Sequence, residues 1–228
     1  MNDLCIMSAS VTGCRLFMPR HKSDWTTKKL DRYTKEARGQ GFGKDYKPWI
    51  EVTDFSSSGR VSRILGWKTN REHHLMSDGE KGLFYISEWS DRVTDIREQF
   101  PLLDLDLCFK IAEEMGVDYN TYSKGDAPHV LTSDFMLTVT REGRCIYEAR
   151  TFKPSKELNN QRTITKLEIE KHYCKRKGIC WKIVTEKELP KSLIKNIEWV
   201  HSAYQLEDKS EISKENLVEL SDALNIQA

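Results

Sequence analysis

The chain has 228 residues, 31% of them charged and 38% hydrophobic, enough for one medium domain with an appendage and inconsistent with collagen-like, low-complexity or wholly disordered material. No apolar run approaches the roughly 20 residues that span a bilayer, and the first residues lack a charged stretch followed by a solid apolar core. The expectation is a cytoplasmic protein with neither membrane anchor nor signal peptide. The net charge of +1 conceals three blocks: 14 Lys+Arg against 6 Asp+Glu over Arg15 to Arg71, 7 against 16 over Glu72 to Glu148, and 13 against 6 over Ala149 to Trp199. Two basic blocks around an acidic one suit a protein that meets a polyanion with carboxylates in reach, although solvated surface gives the same tally.

In chain order, residues 24–37 read as a helix with Leu30, Tyr33 and Ala37 on one face, and Gly39 stands where a left-handed cap would end it. The loop Arg38-Gly39-Gln40-Gly41-Phe42-Gly43-Lys44 matches neither a Walker A nor a dinucleotide fingerprint. Residues 50–52 read as a strand, 56–59 as a loop, 60–67 as extended chain and 68–71 as a basic turn. Ser77-Asp78-Gly79-Glu80 carries a capping box ahead of an apolar-periodic helix. Residues 93–100 read as a strand, Asp104 caps a helix that Gly116 ends, and 120–127 form a loop.

The most ordered pattern follows. Residues 130–140 alternate with Phe135, Leu137 and Val139 on one face, residues 141–144 turn, and 145–152 return as the second strand of a hairpin. Residues 163–177 are helical with Ile164, Leu167 and Cys174 inward, and 179–185 form another strand. Strand, strand, helix, strand predicts an α/β fold with a mixed sheet flanked by helices. A boundary is placed near Glu186: residues 1–186 form the main domain, and 187–228 a short helical C-terminal segment. In that segment Pro190 opens a helix striped by Leu193, Ile197, Val200 and Tyr204, and Ser213 caps a last one. The six cysteines, at 5, 14, 108, 145, 174 and 180, contain no CxxC pair, which points to buried thiols rather than zinc.

Side-chain alternation puts Asp134 on the face opposite Phe135 and Leu137, with Thr151 and Lys153 sharing one face of the returning strand. An acid on one strand and an x-Lys pair across the turn is the pattern of the restriction-endonuclease-like nucleases. There the acid holds Mg²⁺ and the lysine stabilises charge on the phosphate. Glu80 is the candidate second carboxylate, and it is equally the reciprocal member of the Ser77 capping box. The pattern taken alone recurs by chance in proteins of this size.

Longer strings sharpen it. They are residues 35–49, Ser57-Ser58-Gly59-Arg60, Arg63-Ile64, Lys68-Thr69, His73-His74-Leu75-Met76-Ser77-Asp78-Gly79-Glu80 and Asp95-Ile96-Arg97-Glu98-Gln99-Phe100-Pro101-Leu102. Thr132-Ser133-Asp134-Phe135, Lys153-Pro154, Lys166-Leu167-Glu168-Ile169-Glu170, residues 181–188 and Asn196-Ile197-Glu198-Trp199 complete the set. Across roughly residues 25–200 the chain resembles the TnsA family, the endonuclease subunit of heteromeric bacterial transposases.

The resemblance implies a restriction-endonuclease-like fold and a Mg²⁺-dependent nuclease, with one or two ions per site and Mn²⁺ able to substitute. It implies cleavage of the 5′ (non-transferred) strand at transposon-end DNA. The implied partners are a TnsB-like DDE transposase subunit, which cuts and joins the 3′ strand, and a TnsC-like AAA+ ATPase. Carried over residue by residue, the family's metal acids fall on Glu80 and Asp134 and its lysine on Lys153. Thr151 stands in the family's glutamine position, a shorter neutral oxygen that leaves the Phe152 carbonyl as a further metal donor. Glu170 matches a helix acid near the family's site. Arg38, Lys44, Lys47, Arg60, Lys68 and Arg71 are the candidate DNA contacts. The segment beyond residue 186 fits only the opening helices of the winged-helix domain in longer family members, so recognition of DNA ends is expected of the partner transposase. The competing reading is a nuclease-fold adaptor that bridges transposase, ATPase and DNA without cutting.

Overall fold

The computed structural model describes residues 25–54, 60–119 and 126–201. The expected loop at 56–59, nearly all of that at 120–127, Tyr204 and the helix capped by Ser213 lie outside the described residues.

Local capping fixes most element starts. Helix α1 (Thr27–Lys35) is capped by Thr26, α2 (Asp78–Trp89) by Ser77, α3 (Leu105–Glu114) by Asp104 and α4 (Gln161–Arg176) by Asn160; each side-chain oxygen accepts an otherwise orphaned first-turn N–H. Strands β1 (Ser62–Leu65) and β2 (Glu72–Leu75) pair as a small antiparallel hairpin. Strands β3 (Val93–Pro101), β4 (Thr132–Arg141), β5 (Arg144–Phe152) and β6 (Cys180–Val184) form the main sheet in the order β3-β4-β5-β6. The first two pairings are antiparallel, whereas β5 and β6 are parallel because α4 carries the chain across between them. The sheet is therefore mixed and flanked by helices, as expected of the restriction-endonuclease-like class.

Alternation along β4 divides the interior. Phe135, Leu137 and Val139 face Leu83, Phe84 and Leu75, with Ile197 of helix α5 (Lys191–His201) closing that layer. On the other face, Met136 and Ala149 meet Cys108 and Ile111 of α3 and Ile169, Tyr173 and Cys174 of α4. A third cluster packs Trp25, Tyr33 and Trp49 edge to face beside Val130.

Four local expectations are corrected. Residues 50–52 are not a strand: Asp54 accepts the Glu51 N–H (2.8 Å) and closes a turn. The left-handed residue that ends α1 is Ala37 (φ 55°), two positions before Gly39. The Arg38 N–H reaches the Tyr33 carbonyl and the Ala37 N–H that of Thr34, both at 3.0 Å, so the paired C-terminal hydrogen bonds outweigh the penalty for a β-carbon. In α5 the inward residue is Ile194, against the core with Ile197, while Leu193 is exposed. Of the four described cysteines, Cys108 and Cys174 are buried, but Cys145 and Cys180 are exposed.

Candidate active site

Residues 134 and 151 fall opposite one another as the β4–β5 register is continued from Phe135↔Arg150, so the acid and the x-Lys pair meet at one end of the hairpin. Asp134 Oδ2 accepts the Phe152 N–H (2.8 Å) and a hydrogen bond from Lys153 Nζ (3.2 Å). The same ammonium donates to the Phe152 carbonyl (2.9 Å), so two oxygens converge on a single cationic atom. Burial works to discharge Lys153, but Asp134, Glu170 and Glu80 outweigh it and hold its pKa above the usual lysine value.

Glu80 reaches the same region from the first turn of α2. Its contacts with Ser77 bear out the capping-box reading. Ser77 Oγ accepts the Glu80 N–H (3.1 Å) and donates to Glu80 Oε1 (3.0 Å), while Glu80 Oε2 accepts from the Met76 N–H (3.0 Å). Burial, then the Asp134 charge, push its carboxyl up to about 8. Gly79 fixes how closely α2 approaches: a β-carbon there would lie 2.0 Å from the Phe152 ring.

The sequence did not single out Gln99 as a site residue. It is buried in β3, and the register Glu98↔Phe135 and Phe100↔Ser133 brackets it opposite Asp134. Its amide Nε2 donates to Glu80 Oε2 (3.2 Å) and its Oε1 accepts from Thr132 Oγ1 (3.3 Å). The backbone is left-handed there (φ 48°), a conformation costly for a side-chain-bearing residue and found where surrounding structure enforces it. Nothing local in Arg97-Glu98-Gln99-Phe100 signals that angle.

Glu170 is not the exposed helix acid that its position on α4 suggested. It is 4% exposed, accepts a hydrogen bond from the Thr151 hydroxyl, and is pushed by burial up to about 7. The Thr151 hydroxyl, expected among the metal oxygens, gives its proton to the Glu170 hydrogen bond and lies 3.3 Å from Ser133 Oγ, which leaves lone-pair capacity on the oxygen. Asp134, Thr151, Lys153 and Glu170 line one cavity of about 260 Å³ between the sheet end and α4.

The expected DNA contacts divide into two groups. Lys44, Lys47 and Arg60 are exposed, with Arg60 paired to Asp78 (2.9 Å), and half-buried Lys68 donates to the Ser90 carbonyl (3.0 Å). Arg38 and Arg71 are not surface cations. Arg38 is buried between Glu36 and Asp54 (both 2.6 Å) with its guanidinium over the Tyr33 ring. Arg71 donates to both oxygens of Glu98 (2.7 and 2.5 Å) and to the Gly43 and Ile96 carbonyls. His73 Nδ1 stands 2.7 Å from Glu98 and His74 donates its N–H to it, so these histidines serve Glu98. Glu98 is fully buried, yet its carboxyl is held well below the usual range, because His73 and Arg71 outweigh desolvation.

Among the described residues no three His, Cys, Asp or Glu side chains converge as a metal cage. The donors that gather at the hairpin end are hard oxygens: Asp134 and the Phe152 carbonyl, with Glu80 near enough to feel the Asp134 charge. Magnesium uses one or two carboxylates and keeps several waters, so this set fits it, and lacks the nitrogen or sulfur ligands that zinc prefers.

Sheet, crossover helix and acid-lined cleft together define a nuclease of the restriction-endonuclease-like class. Residues 90–186 match the family model for the TnsA-like endonuclease N terminal, and residues 188–227 match that for the TnsA endonuclease C terminal. The first match contains Asp134, Thr151, Lys153 and Glu170, and Glu80 precedes it. The chain is 40% identical over 209 residues to the Transposon Tn7 transposition protein TnsA of Escherichia coli, covering 92% of this chain and 74% of that protein. The chain belongs to the TnsA endonuclease family.

Proposed function

We propose that this protein is the Mg²⁺-dependent endonuclease subunit of a cut-and-paste transposase, and that it hydrolyses the 5′ (non-transferred) strand at each transposon end. The observation that carries the reading is the Asp134–Lys153 pair at the hairpin end, in a cleft that Glu170 also lines, with Glu80 near enough to feel the Asp134 charge. The strand assignment and the partners, a DDE transposase and an AAA+ ATPase, rest on the family resemblance. Asp134, Glu80 and the Phe152 carbonyl would hold the ion. When bound, Mg²⁺ lowers the pKa of a water and polarises the scissile phosphate.

The remaining work falls to the chain. Lys153 stays protonated in its carboxylate surroundings and donates to the phosphate oxygen on which charge develops. Gln99 orients the Glu80 carboxylate through a hydrogen bond, and Glu170 orients the Thr151 hydroxyl. Water is the nucleophile, so the products are a 3′-hydroxyl and a 5′-phosphate without a covalent enzyme intermediate. Thr151 in the family's glutamine position keeps one alternative in play, an adaptor that retains the fold but does not cut.

Strand-specific cleavage separates the two. The chain is assembled with its cognate transposase, ATPase and targeting partners in Mg²⁺, and wild type is compared with Asp134→Ala. Loss of the 5′ nicks alone is the expected result. Unchanged 5′ nicking would assign cutting to another subunit and make this protein the adaptor.

A further inference from the structure

The cleft has a second wall, and its charge is opposite to that of the carboxylates. Lys166 and Thr163 of α4 and His129, just before β4, line the cavity that contains Asp134 and Lys153. Arg162 lies one turn before Lys166 on α4 and therefore on the same side. Behind His129 stands Trp25, with ring centroids 5.8 Å apart, and Lys29 Nζ lies 4.9 Å over the Trp25 ring. Three elements far apart in sequence thus bring four basic groups to one side of the cleft.

These groups feel one another. The Lys166 pKa is lowered by burial and then by Arg162 and Lys153, and that of His129 falls to about 4 through burial and then Lys166, Lys29 and Arg162. His129 is neutral above that value and offers a hydrogen bond, while Lys166, Arg162 and Lys29 supply positive charge that raises the local concentration of an anion. The exposed Glu157 on the rim is a carboxylate facing the same space, and it is the group that an incoming anion would have to pass.

We propose that this wall, with Lys166 at its centre and Arg162, His129 and Lys29 around it, seats a backbone phosphate of the DNA next to the scissile one. Lys153 then serves the reacting phosphate and Lys166 its neighbour, and the duplex enters along the N-terminal half of α4. The glycine-loop cations then lie off this entry path. The proposal rests on the nuclease reading, since it assigns the cleft to a phosphodiester substrate.

The full-length chain is titrated against a fluorescein-labelled duplex carrying a transposon-end sequence, without divalent metal, across a salt series from low ionic strength. Lys166→Ala should weaken binding several-fold at low salt and reduce the slope of log affinity against log salt by about one, the signature of one lost phosphate contact. Arg162→Ala, at an exposed position, should do the same without affecting the fold, and Lys166→Arg should restore both affinity and slope. Lys110→Ala on α3 is the control for net charge. An unchanged slope in Lys166→Ala, an equal effect of Lys110→Ala, or no duplex binding by wild type at low salt would each overturn the phosphate seat. None of these results bears on whether Asp134→Ala abolishes 5′ nicking, so the seat and the nuclease reading fail separately.

Discussion

Two buried carboxylate clusters flank the same sheet, and they have been treated in opposite ways. Around Glu98, every oxygen is met by a cation or an N–H, and the carboxyl is held below its ordinary range. Around Asp134, the neighbouring Glu80 and Glu170 are pushed up to about 8 and about 7, with Lys153 as the cation among three acids. Burial is similar, so the difference lies in compensation. A compensated cluster fixes β2 onto β3, whereas an undercompensated one keeps affinity for a positive charge that the fold does not supply.

Arg71→Ala removes the principal partner of Glu98 and strands a charge in the interior. It should cost about 3–5 kcal/mol in urea-induced unfolding, with 5′ nicking falling only in step with the folded fraction. Lys153→Ala should do the reverse. Nicking should drop by about 100- to 1,000-fold, well beyond the loss of folded fraction that stranding Asp134 brings, while Mg²⁺ binding is spared. Normal cleavage by that variant would remove Lys153 from the site.

Acidity distinguishes the clusters by sign. The depressed Glu98 contributes stability that is present above the ordinary carboxylate range and is lost as pH falls through it. The raised Glu80 and Glu170 act oppositely: the metal-free chain should lose stability as pH rises from about 5 through their values. Unfolding measured in a chelator from pH 4 to 9, at roughly half-unit steps, should therefore show a maximum, and Glu80→Gln should flatten its neutral side. A flat profile in wild type would mean that the acids are relieved by other groups. The smallest effect is expected of Gln99→Met, which keeps the volume but removes the amide from Glu80. Its cleavage rate should fall on the order of tenfold, the equivalent of one hydrogen bond to a charged group. A loss of stability without a loss of rate would make Gln99 structural only.

The chemistry was legible where it was local. Alternation along the hairpin fixes the faces of Asp134 and Lys153, and the spacing from Ser77 to Glu80 announces both a helix start and an acid at its first turn. What escaped the sequence depends on tertiary placement. Arg38 and Arg71 look like surface cations in a basic block until Asp54 and Glu98 close over them. Ala37 takes a backbone angle that propensity reserves for the nearby glycines, and Gln99 takes one that no propensity signals. The basic wall joins Lys29, His129 and Lys166, which no window of sequence holds together.

One glycine has a consequence for how this cleft can vary. The first turn of α2 rests on the Phe152 ring with no room for a methyl group at position 79, so the helix that carries Glu80 and the strand end next to Lys153 are held in direct contact. Changing that contact means displacing a whole helix together with the core it seals. Position 79 should therefore tolerate no side chain at all, whatever its chemistry.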